Sequence, residues 1–249
     1  MPEGPSIVIL AAAIQQFAGK TVTEAYGNAK TLDIDRLQHQ KVTAIKSWGK
    51  HTLICFDGFT VKIHLLMFGS YRVNEEKEES QVRFGLRFSN GYVNFYACSV
   101  KLLEGNIDLL YDWSGDLMND DWDAKAALKK LANRPDEMIC DSLMDQDVFA
   151  GLGNIIKNEI LFRTGIHPES KNGAIPLARR KKLIEEARNY SFEFLEWKQA
   201  GTLKKHWQAH TKTVCPKCGG PMIRKITGVR KRRSFFCEKD QKKYGTASK

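Results

Sequence analysis

The sequence predicts an α+β protein built in three parts: an N-terminal antiparallel β-sandwich with a flanking helix, a helical segment, and a small ribbon-like β-hairpin. Three observations predict it. Strand-like runs with turn dipeptides between them fill residues 20–105. Helical periodicity takes over near residue 120. A Cys-x-x-Cys knuckle at 215–218 is followed by a third cysteine at 237. The expected boundaries are 1–118, 119–210 and 211–249.

The first helix is expected to begin at Pro5, because proline lacks an N–H that would have no partner there, and to end at Gly19. Its run SIVILAAAIQQFAGK is apolar on most sides, which predicts burial. KVTAIKSWGKHTLICF, residues 41–56, reads as strand; Asp57-Gly58 is a two-residue hairpin turn, and FTVKIHLLMF returns from it. A second hairpin is expected at Asn90-Gly91. WDAKAALKKLA is a helix with Asp121 or Asp123 near its start. The run from Asp141 predicts an apolar helix, a Gly-x-Gly-Asn turn at 151–154, and a helix from Ile155 to about Thr164. A long amphipathic helix runs from Pro176 to about Lys198. There is no internal repeat.

The chain has 249 residues, with 39 Lys+Arg against 29 Asp+Glu. The charge is uneven. Residues 211–249 hold 12 Lys+Arg and only Glu238 and Asp240 as acids, so the first 210 residues sum to zero. Such asymmetry points to a polyanion-binding module, or to a solvated basic tail. Hydrophobic content of 42% excludes wholesale disorder. The apolar run Ile7–Ile14 is too short to cross a bilayer, and MPEGPSIV lacks the basic head of a secretory signal, so a cytosolic chain is expected. Cys55, Cys98 and Cys140 stand alone in apolar contexts and read as buried small hydrophobes.

Several groups could carry chemistry. Met1 precedes Pro2 and is expected to be removed. The exposed secondary amine would then sit beside the carboxylate of Glu3, just ahead of a helix N-terminus whose partial charge disfavours an ammonium. A free secondary amine can attack an electrophilic carbon and form an iminium, and Glu3 can move protons beside it. The plainer reading is that Pro2, Gly4 and Pro5 lead into a helix. Cys215, Cys218 and Cys237 suit one structural Zn²⁺. The position of a fourth thiolate holds Asp240, so the fourth ligand is Asp240 or His210, or the ribbon folds without metal. Arg230-Lys-Arg-Arg233 in the hairpin turn suits a nucleic-acid groove, or is a solvated basic loop. Gly151-Leu-Gly-Asn154 opens a helix and can hold a phosphate there. Lys50, placed on a strand, and Met67-Phe68 are unremarkable by themselves: a solvated face and core.

In this order the features resemble one family, the formamidopyrimidine-DNA glycosylases and endonuclease VIII of base-excision repair. The resemblance runs through MPEGP, WGKH at 48–51, HLLMFGSYRV at 64–73, the stretch from LMDQ through GLGN to FRTGIHP, and the C-terminal ribbon. It implies a helix–two-turn–helix in the middle part and a bifunctional DNA glycosylase and lyase that acts as a monomer on damaged duplex DNA, with no small-molecule cofactor and no membrane. Pro2 would attack C1′, Glu3 would move protons during sugar ring opening, and Lys50 would assist proton transfer and bind phosphate. Asn154 and Arg232 would grip the backbone beside the lesion, and Met67 with Phe68 would fill the gap left by the extruded base. β- and then δ-elimination would cut the strand. FYACSVKLLEGN, and the absence of an Asp-x-Arg-Arg-Phe-Gly stretch, look like the endonuclease VIII branch and oxidised pyrimidines; HLLM looks more like the branch that takes oxidised purines. A non-catalytic lesion-recognising DNA-binding protein on the same scaffold, or an RNA-binding zinc-ribbon protein, are the competing readings.

Overall fold

The computed structural model describes residues 2–29, 32–77 and 81–245. The chain divides into two compact units, Met1–Asp112 and Trp113–Lys249. In the first, α1 (Gly4–Ile14) is followed by β1 (Glu24–Tyr26), β2 (Ala44–Trp48), β3 (His51–Cys55), β4 (Phe59–Val73), β5 (Phe84–Phe88), β6 (Gly91–Glu104) and the single turn α2 (Ile107–Leu110). The strands are antiparallel and ordered β1-β5-β6-β4-β3-β2. The expected β half is therefore present, with its strands joined in one ladder and not in two separately bonded sheets.

Helix α1 starts one residue before Pro5 and gives way to a 3₁₀ turn at Gln15–Phe17 before Gly19 at φ 78°. It is less buried than its composition predicts. Ile7, Leu10, Ala11 and Ile14, one stripe at helical spacing, face the core, while Ala12 and Ala13 are exposed. That stripe joins Ile54, Val61, Ile63, Phe84 and Phe95 in one cluster. Each such side chain contributes about 1.5–3 kcal/mol on burial. Asp57-Gly58 makes the expected turn, and Phe56 N–H donates to the Phe59 carbonyl at 2.8 Å. The second hairpin turns one residue early, at Ser89-Asn90, because Phe88 pairs with Gly91.

The second unit holds α3 (Ala124–Ala132), α4 (Ile139–Ser142), α5 (Asn154–Thr164), α6 (Leu177–Gln199) and a two-stranded sheet of β7 (Ile223–Thr227) and β8 (Arg232–Phe236). Asp123 caps α3 by accepting from Lys125 N–H at 2.7 Å. The helix expected from Asp141 onward shortens to one turn. Asp145 accepts from Asp147 N–H at 3.0 Å, a local bond that competes with helix continuation. The ribbon has a small core of its own, Cys215, Met222, Phe235 and Cys237, completed by Phe162 of α5 and Ala209. Cys55, Cys98 and Cys140 are buried and unbridged, as expected. No described helix is long and apolar enough to cross a membrane.

Candidate active site and metal centre

Glu3 precedes α1 in an extended conformation, φ −119° and ψ 172°, and its carbonyl accepts from Ser6 N–H at 2.8 Å. Its side chain is fully buried, whereas Pro2 is half-buried. Met1 lies outside the described residues. The helix N-terminus behind Glu3 carries no acid in its first turn and has Gly4-Pro5 at its start.

Lys50 does not sit on a strand. Gly49 and Lys50 form the tight turn between β2 and β3, closed by the pair Trp48 and His51, and Gly49 supplies the positive φ of 53° that the turn needs. Around it is a cluster that the sequence reading passed over. His51 and His64 are direct cross-strand partners with ring centroids 5.6 Å apart. Trp48 stacks on His51 at 5.6 Å, and the Tyr111 hydroxyl lies 3.1 Å from His51 Nδ1. Burial, then the nearby Lys62, His64 and Lys50, push His51 down to about 4. Burial, then Lys50 and Lys62, lower His64 as well. Burial lifts Tyr111 to about 12. Both imidazoles and the phenol are therefore neutral at pH 7. The signal was available: a two-residue turn at Asp57-Gly58 forces His51 opposite His64.

Met67 and Phe68 are not core. Between the pairs Leu65–Cys98 and Ser70–Tyr96, residues 66–69 of β4 face Ala97 alone, so the strand bulges outward. Leu66, Met67 and Phe68 are 47%, 54% and 83% exposed. Gly69 lets the bulge close, since a Cβ there would lie 2.9 Å from the Ala97 carbonyl oxygen.

In the second unit, Gly153 precedes α5 and Asn154 opens it. Gln146 braces the loop, accepting from Gly151 N–H at 3.1 Å and donating to the Leu152 carbonyl at 3.1 Å. Asn154 Oδ1 is buried without a hydrogen-bond partner among the described residues. In the ribbon, Arg230 and Lys231 occupy the turn between β7 and β8, while Arg232 and Arg233 begin β8. Arg232 is half-buried and the other three are exposed.

One ligand atom each from Cys215, Cys218, Cys237 and Asp240 lie within 4.8 Å of one another. Asp240 Oδ2 accepts from Cys215 Sγ at 3.0 Å and from Cys237 Sγ at 3.2 Å, and Cys218 and Cys237 sulfurs are 3.6 Å apart. A tetrahedron with metal–sulfur bonds of about 2.3 Å has a sulfur–sulfur edge of ~3.8 Å, so the donors are spaced for one tetrahedral ion. His210 is not in this cluster. Its Nδ1 lies 3.4 Å from Asn158 Nδ2, and its ring packs edge-on to Phe235.

These features meet three independent likenesses. The formamidopyrimidine-DNA glycosylase N-terminal domain matches residues 1–99, and the formamidopyrimidine-DNA glycosylase H2TH domain matches residues 115–204. The chain is 31% identical over 200 residues to endonuclease 8 2 of Mycobacterium bovis, covering 76% of this chain and 77% of that protein. Its fold is similar to that of a viral DNA glycosylase, with TM-score 0.86 at 22% identity over 96% of this chain and 99% of that one. It is similar also to Lactococcus lactis formamido-pyrimidine DNA glycosylase non-covalently bound to DNA containing an AP site, with TM-score 0.83 at 21% identity over 97% and 100%. The chain spans 36% of Xenopus laevis endonuclease 8-like 3 and 65% of Bos taurus endonuclease 8-like 2. On the two matched domains and the relative covered over three quarters of its length, the chain belongs to the formamidopyrimidine-DNA glycosylase and endonuclease VIII family.

Proposed function

We propose that the chain is a base-excision-repair DNA glycosylase with AP lyase activity, removing oxidised pyrimidines from duplex DNA. The observation that carries this reading is Glu3, fully buried directly behind a half-buried Pro2 at the head of α1. With Met1 removed, the Pro2 nitrogen bears a lone pair and lies one residue from a carboxyl group held out of water. Attack by that nitrogen on C1′ breaks the glycosidic bond, and the base leaves with the electron pair and a proton. Glu3 then exchanges a proton with the sugar as the ring opens to the iminium. The iminium acidifies the 2′ hydrogen. Its loss expels the 3′ phosphate, a second elimination expels the 5′ phosphate, and water releases Pro2. Lys50, in its turn beside two neutral imidazoles, is suited to hold a phosphate or shuttle a proton.

The extruded base must be replaced and the bent duplex held. Exposed Met67 and Phe68 are suited to fill the stack. Asn154 and Arg232 are suited to grip flanking phosphates: the first opens α5, where backbone N–H groups at the helix start can donate to an anion, and the second opens a strand beside three exposed cations. The pyrimidine preference rests on the sequence stretches already named and on the M. bovis relative being an endonuclease 8. Zn²⁺ is the ion that three thiolates and a carboxylate at this spacing suit, held by Cys215, Cys218, Cys237 and Asp240; it would fix the ribbon and take no part in the chemistry.

Borohydride trapping tests the reading. Processed protein, incubated with duplexes each carrying one oxidised base and reduced, should form a covalent adduct on pyrimidine lesions. Pro2→Gly should lower trapping at least tenfold, and one extra residue before Pro2 should abolish it. Undiminished trapping by the blocked protein would sink the mechanism.

A further inference from the structure

Helix α5 carries three consecutive polar residues, Lys157, Asn158 and Glu159, that are all buried to 1% exposure or less. A helix buried on every side ordinarily fills such positions with apolar residues, and a buried ammonium is costly unless well bonded. Here each side chain is spent on the backbone of a distant segment. Glu159 accepts the amides of Gln208, Ala209 and His210 at 2.9, 3.0 and 2.7 Å. Lys157 Nζ donates to Ser234 Oγ at 3.0 Å and to the Arg233 carbonyl at 3.3 Å. Asn158 Oδ1 accepts from Phe235 N–H at 3.1 Å, and its Nδ2 donates to the Asn154 carbonyl at 2.8 Å and the Arg233 carbonyl at 3.4 Å. Ser234 Oγ is tied in turn to Thr227 Oγ1 across the hairpin at 2.6 Å.

Apart from the contacts of Asn158 with the Asn154 carbonyl and His210, these bonds of Lys157 and Asn158 fall on residues 233–235, immediately after Arg232 at the start of β8, and they spring from the helix that Asn154 opens. From this geometry we infer that Lys157 and Asn158 are positioning residues: they lock β8 to α5, so that Arg232 is presented at a fixed place relative to Asn154. The inference rests on the reading of Arg232 as a phosphate-gripping residue. Lys157 is fully buried and releases no counterion of its own on DNA binding, so any salt-dependent effect of removing it must pass through another side chain.

A double-mutant cycle separates the two claims. Full-length wild type, Lys157→Met, Arg232→Ala and the double variant are titrated against a duplex carrying a tetrahydrofuran abasic analogue at several salt concentrations. Ser234→Ala, which removes the hydroxyl that Lys157 bonds and keeps every charge, is run alongside in both backgrounds in case Lys157→Met folds poorly. Arg232→Ala should weaken binding roughly tenfold and lower the salt slope by about one. Lys157→Met and Ser234→Ala should each weaken binding several-fold when Arg232 is present and less than twofold when it is absent. Equal losses in both backgrounds would overturn the clamp while leaving Arg232 in its role. An Arg232→Ala protein that binds like wild type would overturn the reading of Arg232 and the clamp with it.

Discussion

His51 is held by its neighbours in a form that water would not choose at mildly acid pH. Its ring lies against Trp48 and His64, within bonding distance of the Tyr111 hydroxyl, and its pKa falls from an ordinary 6.5 to about 4. The unfolded chain takes up a proton near 6.5, and the folded chain does not until about 4. Acidification through that window therefore favours unfolding, and stability is full only above the upper limit. In an NMR titration the His51 ring proton should stay unshifted until below pH 5. The urea midpoint should drop between pH 6.5 and 4, and His51→Gln should flatten that slope. A His51 midpoint above 6 would remove the argument. At this scale the sequence was uneven. The cysteines could be picked out by their spacing, while Pro2 and Glu3 stood out as a prospective terminal amine beside a carboxylate whose role only the family resemblance supplied. The pairing of His51 with His64 was readable from the Asp57-Gly58 turn, but Tyr111, 60 residues from His51, joins them only in the folded unit.

At the scale of elements, short-range turn chemistry was readable and long-range anchoring was not. Asp57-Gly58 specifies its own hairpin, but the outward bulge at residues 66–69 depends on what β6 offers opposite. The same holds for the ribbon turn. Asp141, buried in α4, accepts from Val229 and Arg230 N–H, both at 3.0 Å, nearly ninety residues away in sequence. Gly228, at φ 68°, is required there because a Cβ would collide with the Asp141 carboxylate. Asp141→Ala leaves two amides without their acceptor, a loss of about 1–3 kcal/mol, and should loosen the hairpin where its cations lie. Trypsin should then cleave the full-length variant at Arg230 or Lys231 several times faster than wild type, with Asp141→Asn intermediate. Equal cleavage rates for all three proteins would mean the turn is held by something else.

For the whole molecule, charge and folding are partitioned differently along the chain. The 39 C-terminal residues carry the entire net positive charge, yet their core is only a few side chains shared with Phe162 and Ala209. So small a core supplies little stability alone, and the cluster of Cys215, Cys218, Cys237 and Asp240 is where a metal would supply the rest. Asp240 makes this set harder than four thiolates. The segment that would dominate attraction to a polyanion is thus the segment whose order would depend most on an ion bound there. Metal analysis should find about one zinc per chain. A strong chelator should reduce affinity for lesion-bearing duplex and flatten its salt dependence, because Arg230 to Arg233 would no longer be held together on one hairpin. Cys215→Ser should reproduce both effects. The His51 titration should not change, since the histidine pair is built on β3 and β4 in the first unit and has no ligand in the cluster. If the metal-free protein bound DNA with unchanged affinity and salt slope, the ribbon would be folding on its own hydrogen bonds, such as Cys237 N–H to Gln241 Oε1 at 3.0 Å, and the ion would be dispensable.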